Sequence, residues 1–185
     1  MKTKLPLLAF TFASLWAAPA FAADPSVQAF LKIDGIKGES TNVKHKEEID
    51  LAAFKLGVLQ QIVSGTGGGG GAGKATFGPI TVFKGIDKAS PLLFLNCAVG
   101  KHFPQMILTL TEHGKDYFKV RLQDVVVSAC DINSNNVENG DLPLETIALS
   151  YSKVEITYTP FGPSGAPGAP VVISFDVKAN TSTGL

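Results

Sequence analysis

The chain is poor in the residues on which most dedicated chemistry depends. Its 185 residues include two cysteines, three histidines, two methionines and one tryptophan. Two cysteines allow a single intramolecular pairing, too sparse a set to staple a small domain. The histidines, His45, His102 and His113, fall at no metal-ligand spacing, so they read as solvated or hydrogen-bonded imidazoles. An excess of one charge is also missing. Sixteen basic residues face 16 acidic ones, a balance with no general pull toward nucleic acid or anionic lipid. Past the N-terminus no run is apolar enough to cross a bilayer, so stable membrane insertion is not expected.

The one long hydrophobic stretch lies at the start. Lys2 and Lys4 precede an apolar run from Leu5 to Trp16, and Ala20-Phe21-Ala22 supplies an A-x-A cleavage pattern. This order of regions is that of a secretory leader. The expectation is a signal peptide at 1–22 and one domain at 23–185, secreted or periplasmic. Loss of Lys2 and Lys4 lowers the basic count to 14 against 16 acidic residues. In an oxidising compartment Cys97 and Cys130 are open to pairing. Cys97 ends an apolar run and Cys130 a valine-rich strand, which favours two packed free thiols over a disulfide.

Glycine is abundant, and five in succession at 67–71 lie inside "SGTGGGGGAGKATF". Gly68, Gly73 and Lys74 have the spacing of a phosphate-binding loop. Ala75 stands where the magnesium-binding hydroxyl belongs, and Thr76 is one place late. The lysine should also open a helix whose N-terminus faces phosphate, whereas "ATFGPITVF" is rich in β-formers. Five glycines impose a large ordering cost as well. The tract is read as a loop.

Other constellations are equally thin. Asp131, Asn133 and Asn135 resemble the first ligands of a calcium loop, but Asn136 replaces its glycine and Leu142 its bidentate glutamate. Asp124 interrupts an apolar face between Leu122 and Val126. It is either a buried acceptor at a strand bulge, paired with Arg121 or a loop amide, or a solvent-facing aspartate after a bulge. No carboxylate pair or nucleophile elbow organises the acids and hydroxyls. No catalytic residue, cofactor or metal is assigned, and enzyme function is not expected.

What the chain has in quantity is alternation. "VQAFLKIDGI" reads as a strand with Val27, Ala29, Leu31 and Ile33 on one face. "IDLAAFKLGVLQQIV" reads as a long strand kinked near Gly57, because a helix would carry that glycine at a cost of about 1 kcal/mol. "KATFGPITVFKGI" is a strand interrupted at Gly78-Pro79. "FPQMILTLTEHG" and "DYFKVRLQDVVVSAC" form a hairpin, with Phe118, Val120, Leu122 and Val126 on one face. "LETIALSYSKVEITYTP" reads as one long strand, "VVISFDV" as the last, and "KANTSTGL" as a frayed tail. The one helix spans Asp87 to Val99, capped by Asp87 or Ser90, with Pro91 in its first turn. Leu92, Leu95 and Val99 form its apolar stripe and Gly100 its stop. About seven strands and one helix make a mostly β fold, mainly antiparallel, closed or nearly closed into a barrel. Apolar residues on both faces of several strands point toward an oligomer.

Taken in order, "AFLKIDGIKGES", "KHKEEIDL", "GGGGAGKATFGPITVFKGIDKASPLLFLNCAVGKHFPQMILTL", "YFKVRLQDVVVSAC", "LPLETIALSYSKVEITYTP" and "VVISFDVK" resemble the haemolysin-coregulated protein (Hcp) family of type VI secretion. The resemblance covers Val27 to Lys178. It implies a compact β-barrel of two packed sheets with one short helix, assembled as a homo-hexameric ring that stacks into a tube. Effector proteins in the ring's lumen and tip or sheath proteins of the secretion apparatus are the partners it implies. By the same resemblance the charged loop from Gly35 to Glu47 projects toward a neighbouring ring. Its candidate contact residues are Gly35, Lys37, Glu39, Lys44, His45, Lys46 and Glu47. Tube subunits of the family normally enter the apparatus from the cytoplasm without a leader. The leader here therefore suggests separate export, and an exported binding module that forms no tube is the alternative.

Overall fold

The computed structural model describes residues 27–63, 71–133 and 143–184. Within them lie twelve strands and one helix, and every strand pairing is antiparallel. The sequence-based count of about seven strands is low because several long runs are divided. "IDLAAFKLGVLQQIV" becomes β1's neighbour β2 (Ile49–Leu51), then β3 (Ala53–Lys55) and β4 (Val58–Val63), with the break at Leu56 and Gly57. β1 itself is Val27–Ile33. Gly78-Pro79 separates β5 (Gly71–Phe77) from β6 (Ile80–Gly85), as a residue without an N–H donor should. "LETIALSYSKVEITYTP" is two strands, β9 (Leu144–Ser150) and β10 (Lys153–Tyr158).

The long hairpin is β7 (His102–Glu112) and β8 (Lys115–Asn133), joined at His113 and Gly114, both at positive φ (48° and 71°). Such a two-residue connection matches the natural twist of the flanking strands. The first half of β8 pairs with β10, while its second half, from Val126, pairs with β9. β8 therefore belongs to both halves of a folded ten-stranded sheet. The strands run in the order β3, β6, β9, β8, β7, β1 and β2, so the barrel is nearly closed, with no ladder between β2 and β3 among the described residues. Between these two strands, Ala52 N donates to Phe83 O at 2.8 Å. Ile80, Val82, Leu108, Val120, Leu122, Val127, Ile147 and Leu149 fill the interior, each at most 1% exposed.

A wing of β10, β11 (Val171–Asp176) and β12 (Thr181–Thr183) extends beyond this barrel. The tail expected to fray forms β12 instead. Asp176 accepts from Ala179 N at 2.8 Å, Asn180 turns the chain at positive φ, and the Ser174 and Thr183 hydroxyls meet at 2.7 Å. β4 and β5 form a separate two-stranded arm. It rests on the wing through stacked Phe77 and Phe175, 4.6 Å between ring centres.

Helix α1 (Ser90–Ala98) has Pro91 in its first turn and ends before Gly100, which is at positive φ. The expected stripe is on the wrong side. Leu92, Leu95 and Val99 are 43%, 56% and 65% exposed, while Ser90, Leu93 and Asn96 are buried. Capping also differs from expectation. Ala89 occupies the cap position without a side-chain bond, and Asp87 accepts from Ala89 N one step earlier. The cause is beneath the helix. Ser90 Oγ donates to Glu145 Oε2 at 2.7 Å, and Lys84 Nζ reaches the same oxygen at 2.5 Å and Asp87 at 2.8 Å. Lys84 and Glu145, directly opposed in register, are 1% and 0% exposed. This polar anchor sets which helix face turns inward.

Candidate functional site

The resemblance has the charged loop from Gly35 to Glu47 projecting toward a neighbouring ring. In the structure it folds back on itself and is tied down at both edges. Gly35 turns the chain at φ 84°, and Ile36 bridges to Ile33. Gly38 N donates to Glu47 O at 2.8 Å, Ser40 N to Glu48 O at 3.1 Å, and Glu47 N to Ser40 O at 2.9 Å. Gly38 is irreplaceable for packing reasons, since a Cβ there would collide with the Glu48 carbonyl and the Ile49 backbone. Ile36, Ser40 and His45 are all buried.

His45 is the latch. Its ring lies flat on Phe30, 4.4 Å between centres at 10°, which explains why Phe30 is 1% exposed on a face otherwise polar in pattern. Nδ1 is 2.9 Å from Glu48 and Nε2 is 3.2 Å from Asp116 on β8. Lys44 Nζ adds a bond to Gly114 O at 2.7 Å, and Asn42 binds Gln28 at 3.0 Å. Of the candidate contacts, His45 thus points inward and holds the loop in place. Gly35, Lys37, Glu39, Lys44, Lys46 and Glu47 stay on the exposed side. Lys37 and Glu47 pair at 2.8 Å, and the lysine's hydrogen bond and charge draw the Glu47 carboxyl below its ordinary range. Glu39 accepts from Lys88 N at 3.2 Å, linking the loop to the approach of α1. Val43, 96% exposed, is its apolar tip. An open groove of about 1120 Å³ separates the loop from β1 to β3.

Two apolar surfaces lie elsewhere. On α1, Phe94 (55%) joins Leu92, Leu95 and Val99. On the wing and arm, Tyr158, Val171, Val172 and Ile173 are exposed along β10 and β11, with Val58 and Leu59 on β4. A free two-stranded arm is marginal alone in water.

Asp124 resolves both of its sequence readings in part. It sits at φ 51° where β8 passes from one half of the sheet to the other. The turn shifts the inward phase, so Val125 and Val127, not Val126, follow Leu122 into the core. Its partners are neither Arg121 nor a loop amide. Lys178 Nζ and Ser152 Oγ each lie at 2.6 Å, and His102 Nδ1 at 2.9 Å. Arg121 is instead 3.9 Å from Glu155. Ser152 binds the aspartate directly, as His102 does, and not through the imidazole, so the trio lacks the order of a nucleophilic triad. Hydrogen bonds from Lys178, Ser152 and His102, in that order, hold the Asp124 carboxyl far below the usual carboxylate range. A depressed folded value gives stabilisation above the unfolded value, about 3.9, that is lost as pH falls. Asp124→Asn is expected to melt at a lower temperature than the parent at neutral pH, with the gap closing as the solution is acidified below about pH 4. Parallel thermal melts check this; a gap that ignores pH would show that charge is irrelevant at the corner.

Lys74 lies within β5 and is followed by strand, not by the helix that a phosphate-binding lysine would open. The glycines at 65–70 lie outside the described residues. Asp131 and Asn133 are in β8, while Asn135, Asn136 and Leu142 also lie outside them. Among the described residues no group of three His, Cys, Asp or Glu could hold a metal ion. No helix there is long and apolar enough to cross a membrane. Cys97 and Cys130 are unpaired thiols, each half-buried against the core.

Lys84 and Glu145 escaped attention in sequence, although a signal existed. Each occupies the inward phase of its strand, after Ile80 and Val82 or before Ile147 and Leu149. A lysine and a glutamate in two buried alternations invite pairing.

The fold defines a class: a small antiparallel barrel with a wing, an arm and a pinned charged loop. Residues 30–158 match the family described as type VI secretion system effector, Hcp. Protein hcp1 of Pseudomonas aeruginosa is 36% identical over 160 residues, covering 84% of this chain and 98% of that protein. The crystal structure of Hcp1 from Salmonella typhimurium superposes with a TM-score of 0.70 at 33% identity, covering 85% of this chain and 99% of the other. A type VI secretion system effector from Yersinia pestis gives 0.65 at 29%, covering 80% and 99%. The chain belongs to the Hcp family of type VI secretion proteins.

Proposed function

We propose that this protein is a ring-forming subunit of a secretion tube, with a lumen that receives effector proteins. The observation that carries the reading is the presence of two separate, unlike apolar surfaces on one subunit. The α1 surface is helical, whereas on the wing Tyr158, Val171 and Ile173 share one sheet face. Closing a ring by head-to-tail contacts needs two different complementary patches on every copy. A homo-hexamer is the ring size that the family resemblance suggests. The exposed Lys37, Glu39, Lys44, Lys46 and Glu47, with Val43 at the tip, are assigned to contact between stacked rings. Exposed ion pairs are worth roughly 0–1 kcal/mol each, and repetition around a ring lets weak contacts add while each remains reversible. Residues 1–22 are assigned as a leader removed before assembly.

The test is the mass and shape of the purified protein. A discrete oligomer of six copies by light scattering, with annular particles in negative stain, is the expected result. A monomer at all concentrations would remove the tube reading and leave an exported binding module of the same fold.

A further inference from the structure

We propose that Cys97 and Cys130 form a two-thiol redox site that closes to an intramolecular disulfide, tying α1 to β8. The placement follows from register. At its N-terminal end α1 is anchored where Ser90 Oγ touches Glu145, and Glu145 lies opposite Ile132 of β8. At its other end the chain passes through Gly100 and Lys101 into His102, which lies opposite Val126. The helix therefore runs along β8 from the level of residue 132 to that of residue 126.

Cys97 is seven residues beyond Ser90, two helical turns or about 10 Å, on the same face as Ser90 and the fully buried Leu93. A strand covers that distance in about three residues, which brings Cys97 level with Ala129 and Cys130. Of those two, Cys130 stands opposite Ile147, which is 0% exposed and faces the interior together with Glu145. Cys130 thus looks toward the helix. α1 and β8 bring Cα atoms within 8 Å of each other, and both cysteines pack on the same core. The thiols also feel each other electrostatically. Burial is the main cause that pushes the Cys130 thiol up; the charges of Glu145, Cys97 and Asp131 add to it, and Lys84 opposes them.

Closure needs an oxidant, here a small disulfide such as oxidised glutathione. The Cys97 thiolate attacks one glutathione sulfur, a mixed disulfide forms, and the first glutathione leaves as a thiolate that takes a proton. The Cys130 thiolate then attacks the Cys97 sulfur and releases the second glutathione. Two protein thiols are oxidised and one glutathione disulfide is reduced to two thiols. Attack needs the thiolate, and burial keeps the Cys130 thiol protonated, so closure accelerates as pH rises.

The experiment exposes the full protein to oxidised glutathione, traps remaining thiols with iodoacetamide and reads intact mass and peptide map. The expected product has lost two hydrogens, carries no trapped thiol and yields one peptide linking Cys97 to Cys130. Cys97→Ser and Cys130→Ser, each checked for folding by circular dichroism, should each stop at a single glutathione adduct. Wild-type protein that keeps two trappable thiols, accumulates two glutathiones or forms covalent dimers would overturn the pairing. Ring assembly plays no part in this readout, so it stands apart from the tube reading.

Discussion

On the proposed ring assembly, Phe94→Glu and Leu95→Glu are each expected to yield a folded monomer. Both side chains point away from the core, at 55% and 56% exposure, on the helix face that the buried anchor turns outward. Neither substitution therefore removes core packing, and circular dichroism should be unchanged. At a subunit seam the outcome differs, because an unpaired carboxylate would be stripped of water at a cost of several kcal/mol. A loss of about 4 kcal/mol weakens each contact roughly 1000-fold, and a ring repeats the penalty at every seam. Light scattering at a concentration where the parent is fully assembled checks the prediction. Intact rings from both variants would place the seam elsewhere and remove α1 from the interface.

Lys84→Ala should be the most destabilising single change in the barrel. Lys84 is 1% exposed and gives hydrogen bonds to Glu145, Ser90 and the Gly85 carbonyl, besides its pairing with Asp87. Its removal leaves Glu145 buried at 0% exposure, with Oε1 already lacking a partner among the described residues. Breaking such a pair on one side typically costs about 3–5 kcal/mol, a large share of the roughly 5–15 kcal/mol that holds a domain together. Replacing both charges, Lys84→Met with Glu145→Leu, should recover much of the loss, since apolar substitutes of similar volume avoid the uncompensated charge. Urea titration of the parent, the single and the double variant separates these outcomes. A single variant within about 1 kcal/mol of the parent would show that the pair does not hold the helix.

The strands were legible because alternation is a local property. β1, the β7–β8 hairpin, β11 and the break at Gly78-Pro79 follow from residues that are neighbours in the chain. The helix was legible for the same reason, with Pro91 near its start and Gly100 past its end. Its orientation was not. Leu92, Leu95 and Val99 make an acceptable stripe, but the inward face was chosen by Ser90's bond to Glu145, 55 residues away. The burial of His45 was not legible for the same reason. The many charges of its loop suggest solvent, and nothing local shows that Phe30, Glu48 and Asp116 converge on one imidazole. Among the seven candidate contact residues, only His45 proved to serve the subunit's own interior.

A mostly antiparallel β fold with one helix was determined by the sequence alone, because backbone propensity and period-two hydrophobicity act over a few residues. Tertiary structure alone decided which surfaces remain exposed. Burial is a sum over partners distant in the chain, and a charge pair such as Lys84 and Glu145 can outweigh the local preference of an entire apolar stripe.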